Sequence, residues 1–319
     1  MSEPKNLDVE GAHRLTTAAI DAVGEVVRDQ RDAVRLVLAA LMAQGHVLVE
    51  DVPGVGKTTL ARAVARALGC DFSRIQFTSD MLPNDVLGVQ VHDPETGGFR
   101  FKPGPIFSHL VLADEINRAP PKTQSAMLEA MAERRITVDE TTHGLPDIFS
   151  VIATQNPVEH HGAYPLPESQ LDRFAIRLSL GYPDTASERA LLMAGGGPEA
   201  SLEDLDPVAD PDRVRGLQRL AAQVTLSEPV ADYILALVQA TRDHSEVLLG
   251  ASPRSSVQFA DLARGWALIE GRRFVLPDDV QTLAPYVLAH RLVLGGGSAQ
   301  RGALEAVVAD VVASTAVPR

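Results

Sequence analysis

The chain has 319 residues, 45% of them hydrophobic and 22% charged, a composition that sets a globular protein apart from disordered and membrane-spanning classes. A formal net charge of -13 at pH 7 argues against a default nucleic-acid binder, because neutralising phosphates takes clustered Lys and Arg. A single cysteine, Cys70, excludes a disulfide framework within the chain and fits a reducing, cytoplasmic location.

In chain order, residues 1 to about 11 read as a polar tail, and Met1-Ser2-Glu3-Pro4-Lys5 lacks the apolar stretch of a secretory signal. No run approaches the roughly 20 apolar residues of a membrane span. A helix is predicted up to about Arg28. A second carries Ala33, Leu36, Val37, Ala40 and Leu41 on one face and is expected to end at Gly45. His46 to Glu50 reads as a buried strand, followed by a Gly-rich turn and a helix from about Thr58 to Leu68. Arg74 to Phe77 is a candidate strand. Val89–His92 and Phe99–Phe101, joined by an Asp-Pro-Glu-Thr-Gly-Gly turn, read as an inserted hairpin.

Leu110 to Ala113 forms an apolar strand ending in two acids, and Lys122 to Glu133 is helical, with Met127 and Met131 as core residues. Arg135–Val138 and His143–Leu145 suggest a second hairpin; Phe149–Ala153 and Ile176–Leu180 are further strands. Strands alternating with helices predict a parallel sheet covered on both faces. After Pro183 the strand signal ends. The spacing predicts a tail over 1–11, an α/β domain over 12–183, a linker over 184–212 and a helical domain over 213–319. In the last, Phe259, Leu262, Ala263, Trp266 and Ile269 share one face, and Val280, Leu283, Ala284, Val287 and Leu288 another.

The strongest motif is Asp51-Val52-Pro53-Gly54-Val55-Gly56-Lys57-Thr58-Thr59, between a strand and a helix. Backbone N–H groups of such a loop, with the helix N-terminus behind it, cradle phosphates, and glycines let the backbone approach them. Lys57 would reach the β- and γ-phosphates of ATP, and the Thr58 hydroxyl would ligate Mg²⁺. The pattern G-x-x-x-x-G-K-[ST] wants Gly where this chain has Asp51. The bland alternative is an ordinary glycine turn with an exposed lysine. In Leu110-Val111-Leu112-Ala113-Asp114-Glu115, Asp114 would hold the metal and Glu115 would polarise the attacking water. In Val151-Ile152-Ala153-Thr154-Gln155-Asn156-Pro157, Asn156 could position that water; read alone it is as readily a turn-forming Asn before Pro. His160-His161 reads as a solvated turn, not spaced like helix-borne metal ligands. Ser108 and Ser169 have no His and Asp at a recognisable spacing, so nucleophilic catalysis has no support.

Together these stretches resemble the MoxR-type ATPases of the AAA+ superfamily. Beyond Gly45 to Thr58, the resemblance rests on Gly104-Pro105-Ile106-Phe107, Asp114-Glu115-Ile116-Asn117-Arg118-Ala119 and Ala153 to Pro157. It continues through Pro167-Glu168-Ser169-Gln170-Leu171-Asp172-Arg173-Phe174 and Gly250-Ala251-Ser252-Pro253-Arg254. It covers about Val26 to about Leu294.

The resemblance implies an αβα P-loop sandwich followed by a small all-helical lid, with Asn156 as the sensor-1 residue. It makes Arg173 the arginine finger given to a neighbouring subunit and Arg254 the sensor-2 arginine of the lid, without saying in whose pocket Arg254 acts. It further implies an ATP hydrolase in a ring, hexameric in the family, that remodels a client protein and works with partners bearing a von Willebrand factor A domain. A magnesium-chelatase-like subunit and a nucleic-acid motor share the fold and are the rival readings. Where the family usually has Val-Gly-Gln before the second helix this chain reads Arg28-Asp29-Gln30, a difference beside the expected adenine site.

Overall fold

The computed structural model describes residues 7–95, 97–156, 164–193, 202–295 and 301–318. The first six residues of the expected tail, Thr96, Pro157, His160-His161 and Gly195-Gly196-Gly197-Pro198 lie outside them.

Helix α1 (Val9–Val26) starts earlier than its sequence suggested, because the Asp8 carboxylate caps it by accepting the Gly11 N–H at 2.8 Å. Helix α2 (Arg31–Met42) follows. Its exit is turned by Gln44 at φ 54, not by Gly45. Gly45 has a different reason to be glycine: a Cβ there would meet the Ala175 Cβ at 2.6 Å.

Strands β1 (Val47–Glu50), β2 (Phe72–Gln76), β5 (Leu110–Asp114), β8 (Ser150–Gln155) and β9 (Ile176–Leu178) form one five-stranded sheet. Its order is β2-β5-β8-β1-β9 and every pairing is parallel. All of β5 is buried, which explains why it reads as a continuous apolar run. Helix α3 (Lys57–Ala67) connects β1 to β2. The short helix α4 (Pro83–Leu87) leads into an antiparallel hairpin, β3 (Gly88–His92) with β4 (Phe99–Pro103). Helix α5 (Pro121–Glu133) leads into a second, β6 (Arg135–Val138) with β7 (Thr141–Gly144), and α6 (Glu168–Leu171) precedes β9.

Two apolar cores flank the sheet. One, under α5, holds Met127, Met131, Phe149 and Phe174. The other joins α1, α2 and α3 to helices from the second half of the chain. These are α8 (Pro211–Gln223), α9 (Glu228–Asp243), α10 (Pro253–Ile269), α11 (Pro277–Leu288) and α12 (Arg301–Ser314), which follow α7 (Thr185–Met193). Both apolar faces expected in this half, on α10 and α11, are buried. A short antiparallel pair, β10 (Val247–Leu249) with β11 (Val293–Leu294), interrupts the helices against expectation.

The second half is seated closely on the first. Gly265 of α10 lies so near α2 that a Cβ would meet the Ala39 carbonyl oxygen at 2.6 Å. The Arg35 guanidinium stacks over the Trp266 ring at 4.6 Å. Gln218 of α8 donates to the Leu41 carbonyl at 2.9 Å. The expected linker over 184–212 is also partly docked: Val208 N–H donates to the Ala67 carbonyl at 2.8 Å, and Arg66 Nε to that of Leu205 at 2.6 Å. The end of α3 recruits this segment through its backbone, because its last carbonyls need partners.

Gly265→Val should force α10 off α2 and cost about 2 kcal/mol, the usual cost of overfilling a packed contact. A urea midpoint equal to that of the unaltered protein would show that the two helices do not meet in solution as they do here.

Candidate functional site

Three loops converge where β5, β8 and β1 end side by side. The loop after β1 places Gly54 at φ 85 and Gly56 at φ 94, conformations open to glycine and strained for other residues. A Cβ at either position would touch nothing within 4 Å, so backbone geometry and not crowding demands glycine there. Gly56 is the N-cap of α3 and offers no side chain to its first-turn N–H groups, nor does that turn hold an acid. Such a terminus fits an anion. Thr58 and Thr59 lie in the same turn, and Lys57 Nζ folds back onto the carbonyls of Asp51 at 2.7 Å and Val52 at 3.2 Å. Pro53 and Gly54 are exposed and Val55 is buried.

Asp51 is a brace of this loop. One oxygen accepts the Val52 N–H at 2.8 Å. The other accepts Ser179 Oγ at 2.6 Å, Leu180 N–H at 2.8 Å and Gly181 N–H at 2.7 Å, at the exit of β9. Burial pushes its pKa up, but the bonds from Ser179, Gly181, Val52 and Leu180 outweigh it and hold it below the ordinary carboxylate value. The departure from the Gly pattern is thereby explained: the carboxylate's bonding capacity goes to the protein, which leaves phosphate contact to the rest of the loop. Gln30 donates to the Leu180 carbonyl at 3.1 Å, so the Arg28–Gln30 segment abuts the same corner.

Asp114, the buried last residue of β5, is held from both sides. Thr154 Oγ1 donates to Oδ1 at 2.6 Å, and Arg74 donates to Oδ2 from Nη2 at 2.7 Å and Nε at 3.1 Å. Thr154 also accepts the Glu115 N–H at 2.8 Å, so one wholly buried hydroxyl orients both acids. Glu115 stands in the left-handed region at φ 56, and its Oε2 accepts Gln76 Nε2 at 2.9 Å and Arg118 Nη1 at 2.8 Å. Asn156 is buried immediately after β8, between the acid-bearing strand and the loop-bearing one. The oxygen donors of Asp114 and Thr58 suit a hard divalent cation such as Mg²⁺, which takes one or two protein carboxylates and the rest of its shell from phosphate and water. Thr154, Arg74, Gln76 and Arg118 were not singled out from the sequence. The strand order, which lays β2 and β8 on either side of β5, reveals the first three, while Arg118 reaches Glu115 from three residues on.

Arg173 and Arg254 are elsewhere. Both line a cleft of about 460 Å³ whose walls include Gly45, His46 and Ala175, the residues that precede β1 and β9. The phosphate-type loop follows β1, so the cleft lies at the opposite edge of the sheet. Arg134 and Arg264 line it too, with Asp261 as the acid among its lining residues. Burial pushes the His46 imidazole down to about 4, leaving it neutral at physiological pH. The cleft is therefore cationic. The structure thus gathers the loop, Asp114, Glu115 and Asn156 at one edge, and both predicted arginines at the other.

Residues 46–176 match the family described as the ATPase family associated with various cellular activities (AAA), and residues 239–311 match the AAA lid domain. The Bacillus subtilis protein YeaC is 47% identical over 310 residues, covering 97% of each chain. Chaperone MoxR1 of Mycobacterium tuberculosis is 40% identical over 311 residues, covering 94% of this chain and 82% of that protein. A solved structure from Cytophaga hutchinsonii, assigned as an ATPase, superposes with a TM-score of 0.85 at 35% identity, covering 94% of this chain and 95% of that one.

Asp51→Asn should lose about 2 kcal/mol of stability at pH 7, since bonds to a charged acceptor contribute roughly 1.5–3 kcal/mol. A carboxyl whose folded pKa is depressed stabilises above its unfolded value and loses that contribution as pH falls through the folded one. Denaturation of both proteins should therefore show a gap that is widest near neutrality and closes below about pH 4; a gap independent of pH would remove the charge from the explanation.

Proposed function

The chain belongs to the MoxR-type AAA+ ATPases, and on that footing we propose that it hydrolyses ATP with Mg²⁺ at the contacts between subunits of a ring, hexameric by the family's habit. We further propose that the cycle remodels a client protein in chaperone-like fashion, with a partner bearing a von Willebrand factor A domain. The printed name of the Mycobacterium tuberculosis relative, Chaperone MoxR1, supports the client reading. That no helix among the described residues is long and apolar enough to cross a membrane is compatible with work in the cytoplasm.

One observation carries the proposal. The loop and the acids sit at one edge of the sheet, Arg173 and Arg254 at the other. One copy therefore holds two halves of different sites, and a complete site needs a second copy. In each pocket the loop N–H groups and the start of α3 bind the phosphates, and Lys57 transfers its ammonium from the Asp51 and Val52 carbonyls to them. Mg²⁺, held by Thr58 and Asp114, would offset phosphate charge. Asn156 orients the water and Glu115 takes its proton, released for that task from Gln76 and Arg118. Arg173 and Arg254 of the next subunit meet the charge that develops on the transferred phosphoryl group.

Glu115→Gln should bind ATP as tightly as the unaltered enzyme and turn over roughly 10²–10⁴-fold more slowly, the usual worth of a general base. Near-normal turnover would assign the base to another group. Lys57→Ala and Arg173→Ala should each be inactive alone, yet regain ATPase activity when mixed, because some contacts then pair an intact pocket with an intact arginine. An arginine supplied across a contact is worth roughly 10³–10⁵ in rate, so even a minority of such contacts is measurable. If mixed rings form and nothing is regained, Arg173 does not act across subunits.

A further inference from the structure

We infer that Asp172 is a positioning residue that fixes Arg173 and Arg254 relative to one another, so that both arginines present to the neighbouring subunit as one unit. The inference rests on the trans reading given above and adds a residue to it. Asp172 directly precedes Arg173. Its carboxylate also accepts Ser252 Oγ at 2.9 Å and Ser255 Oγ at 3.1 Å, from residues that flank Arg254. Ser252 is the N-cap of α10, so the bond fixes the start of the helix from which Arg254 projects. A single side chain thus touches the local frame of both arginines, although 81 positions separate them (254 − 173).

The carboxylate is itself held by a buried partner. Arg291 Nε donates to Asp172 Oδ1 at 3.0 Å, and its side chain is 1% exposed. The same guanidinium donates to the carbonyls of Phe174 at 2.7 Å and Ala175 at 3.3 Å, and to Gln258 Oε1. It therefore clamps the backbone on the far side of Arg173, while Gln258 lines the cleft beside Arg254. Burial lowers the Arg291 pKa to about 10, with Asp172 opposing the fall, so the guanidinium stays charged at neutral pH. A buried charge pair of this kind is costly to break and geometrically exacting. It suits a part that sets position, whereas Arg173, whose Nη1 donates to the Leu128 carbonyl, and the exposed Arg254 line the cleft.

Removing Asp172 itself would strand the Arg291 charge and risk the fold. The test uses Ser252→Gly with Ser255→Ala, which cuts the tie to α10 and keeps the Asp172–Arg291 pair; glycine is a tolerable N-cap. Expected is an unchanged melting temperature within a few degrees, KM for ATP within about two-fold, and kcat lower by roughly 10²-fold, the scale of an ångström-level misplacement. Mixed with Lys57→Ala subunits, whose arginines are correctly held, the double variant should regain activity. Unchanged kcat, or a loss expressed in KM, overturns the inference. So does failure of this mixture to recover while the Arg173→Ala and Lys57→Ala mixture does recover, and in that case the trans reading stands. If neither mixture recovers although mixed rings form, the trans reading has fallen and the inference with it.

Discussion

Five strands that all run the same way impose one constraint from which the rest of this molecule follows. Parallel pairing puts every strand's C-terminal end on one edge and every N-terminal end on the other. With the order β2-β5-β8-β1-β9, the loop after β1, the acids after β5 and Asn156 after β8 become neighbours although they are far apart in the chain. The same rule sends Arg173, just before β9, to the far edge, and α10 brings Arg254 to it. The fold thereby divides the candidate residues between two faces of the protein.

Within the first face, order depends on few atoms. The Thr154 hydroxyl spans Asp114 and the Glu115 backbone, so the acids share one hinge point. Arg74 gives the buried Asp114 a counter-charge from within the fold, at a position where an unpaired carboxylate would be costly. Asp51 joins the loop to the exit of β9. Each of these contacts links two strand ends, whereas the bonds of Lys57 to the Asp51 and Val52 carbonyls stay within the loop.

Much of this was legible in the sequence because it is local. The glycines of the loop, the apolar run ending in Asp114 and the helical faces on α10 and α11 each signal themselves within a few residues. What was not legible depends on neighbours brought together by the fold. Arg74, Gln76 and Thr154 became meaningful only when β2 and β8 were placed beside β5. Asp51, which departs from the loop pattern, reads as a defect until Ser179, Leu180 and Gly181 arrive to bond it. The stretch over 184–212 looks like a linker by composition, yet its backbone docks on the end of α3, and backbone bonds leave no trace in side-chain pattern. Strands as short as β10 and β11 are beyond periodicity. Gly45 reads as a helix end in the sequence, while its tertiary demand, the closeness of Ala175, shows only in the fold.

The seat of α10 on α2 bears on how this protein can move. A lid drawn from sequence would swing about residues 184–212, but the close approach of Gly265 to Ala39, the Arg35–Trp266 stack and the Gln218–Leu41 bond fasten it to the N-terminal helices. His13 of α1 adds a bond to the Ile269 carbonyl at 2.6 Å. Swinging those helices away would expose apolar surface at about 25 cal/mol for each Å². The apolar core that joins α1, α2 and α3 to the C-terminal helices also takes in Val47, Val49, Leu112, Ile152 and Ile176 of the sheet, and Arg291 adds bonds to the Phe174 and Ala175 carbonyls just before β9. A lid hinged only at 184–212 would have to break this shared core, so the fold favours the C-terminal helices moving together with the sheet they cover.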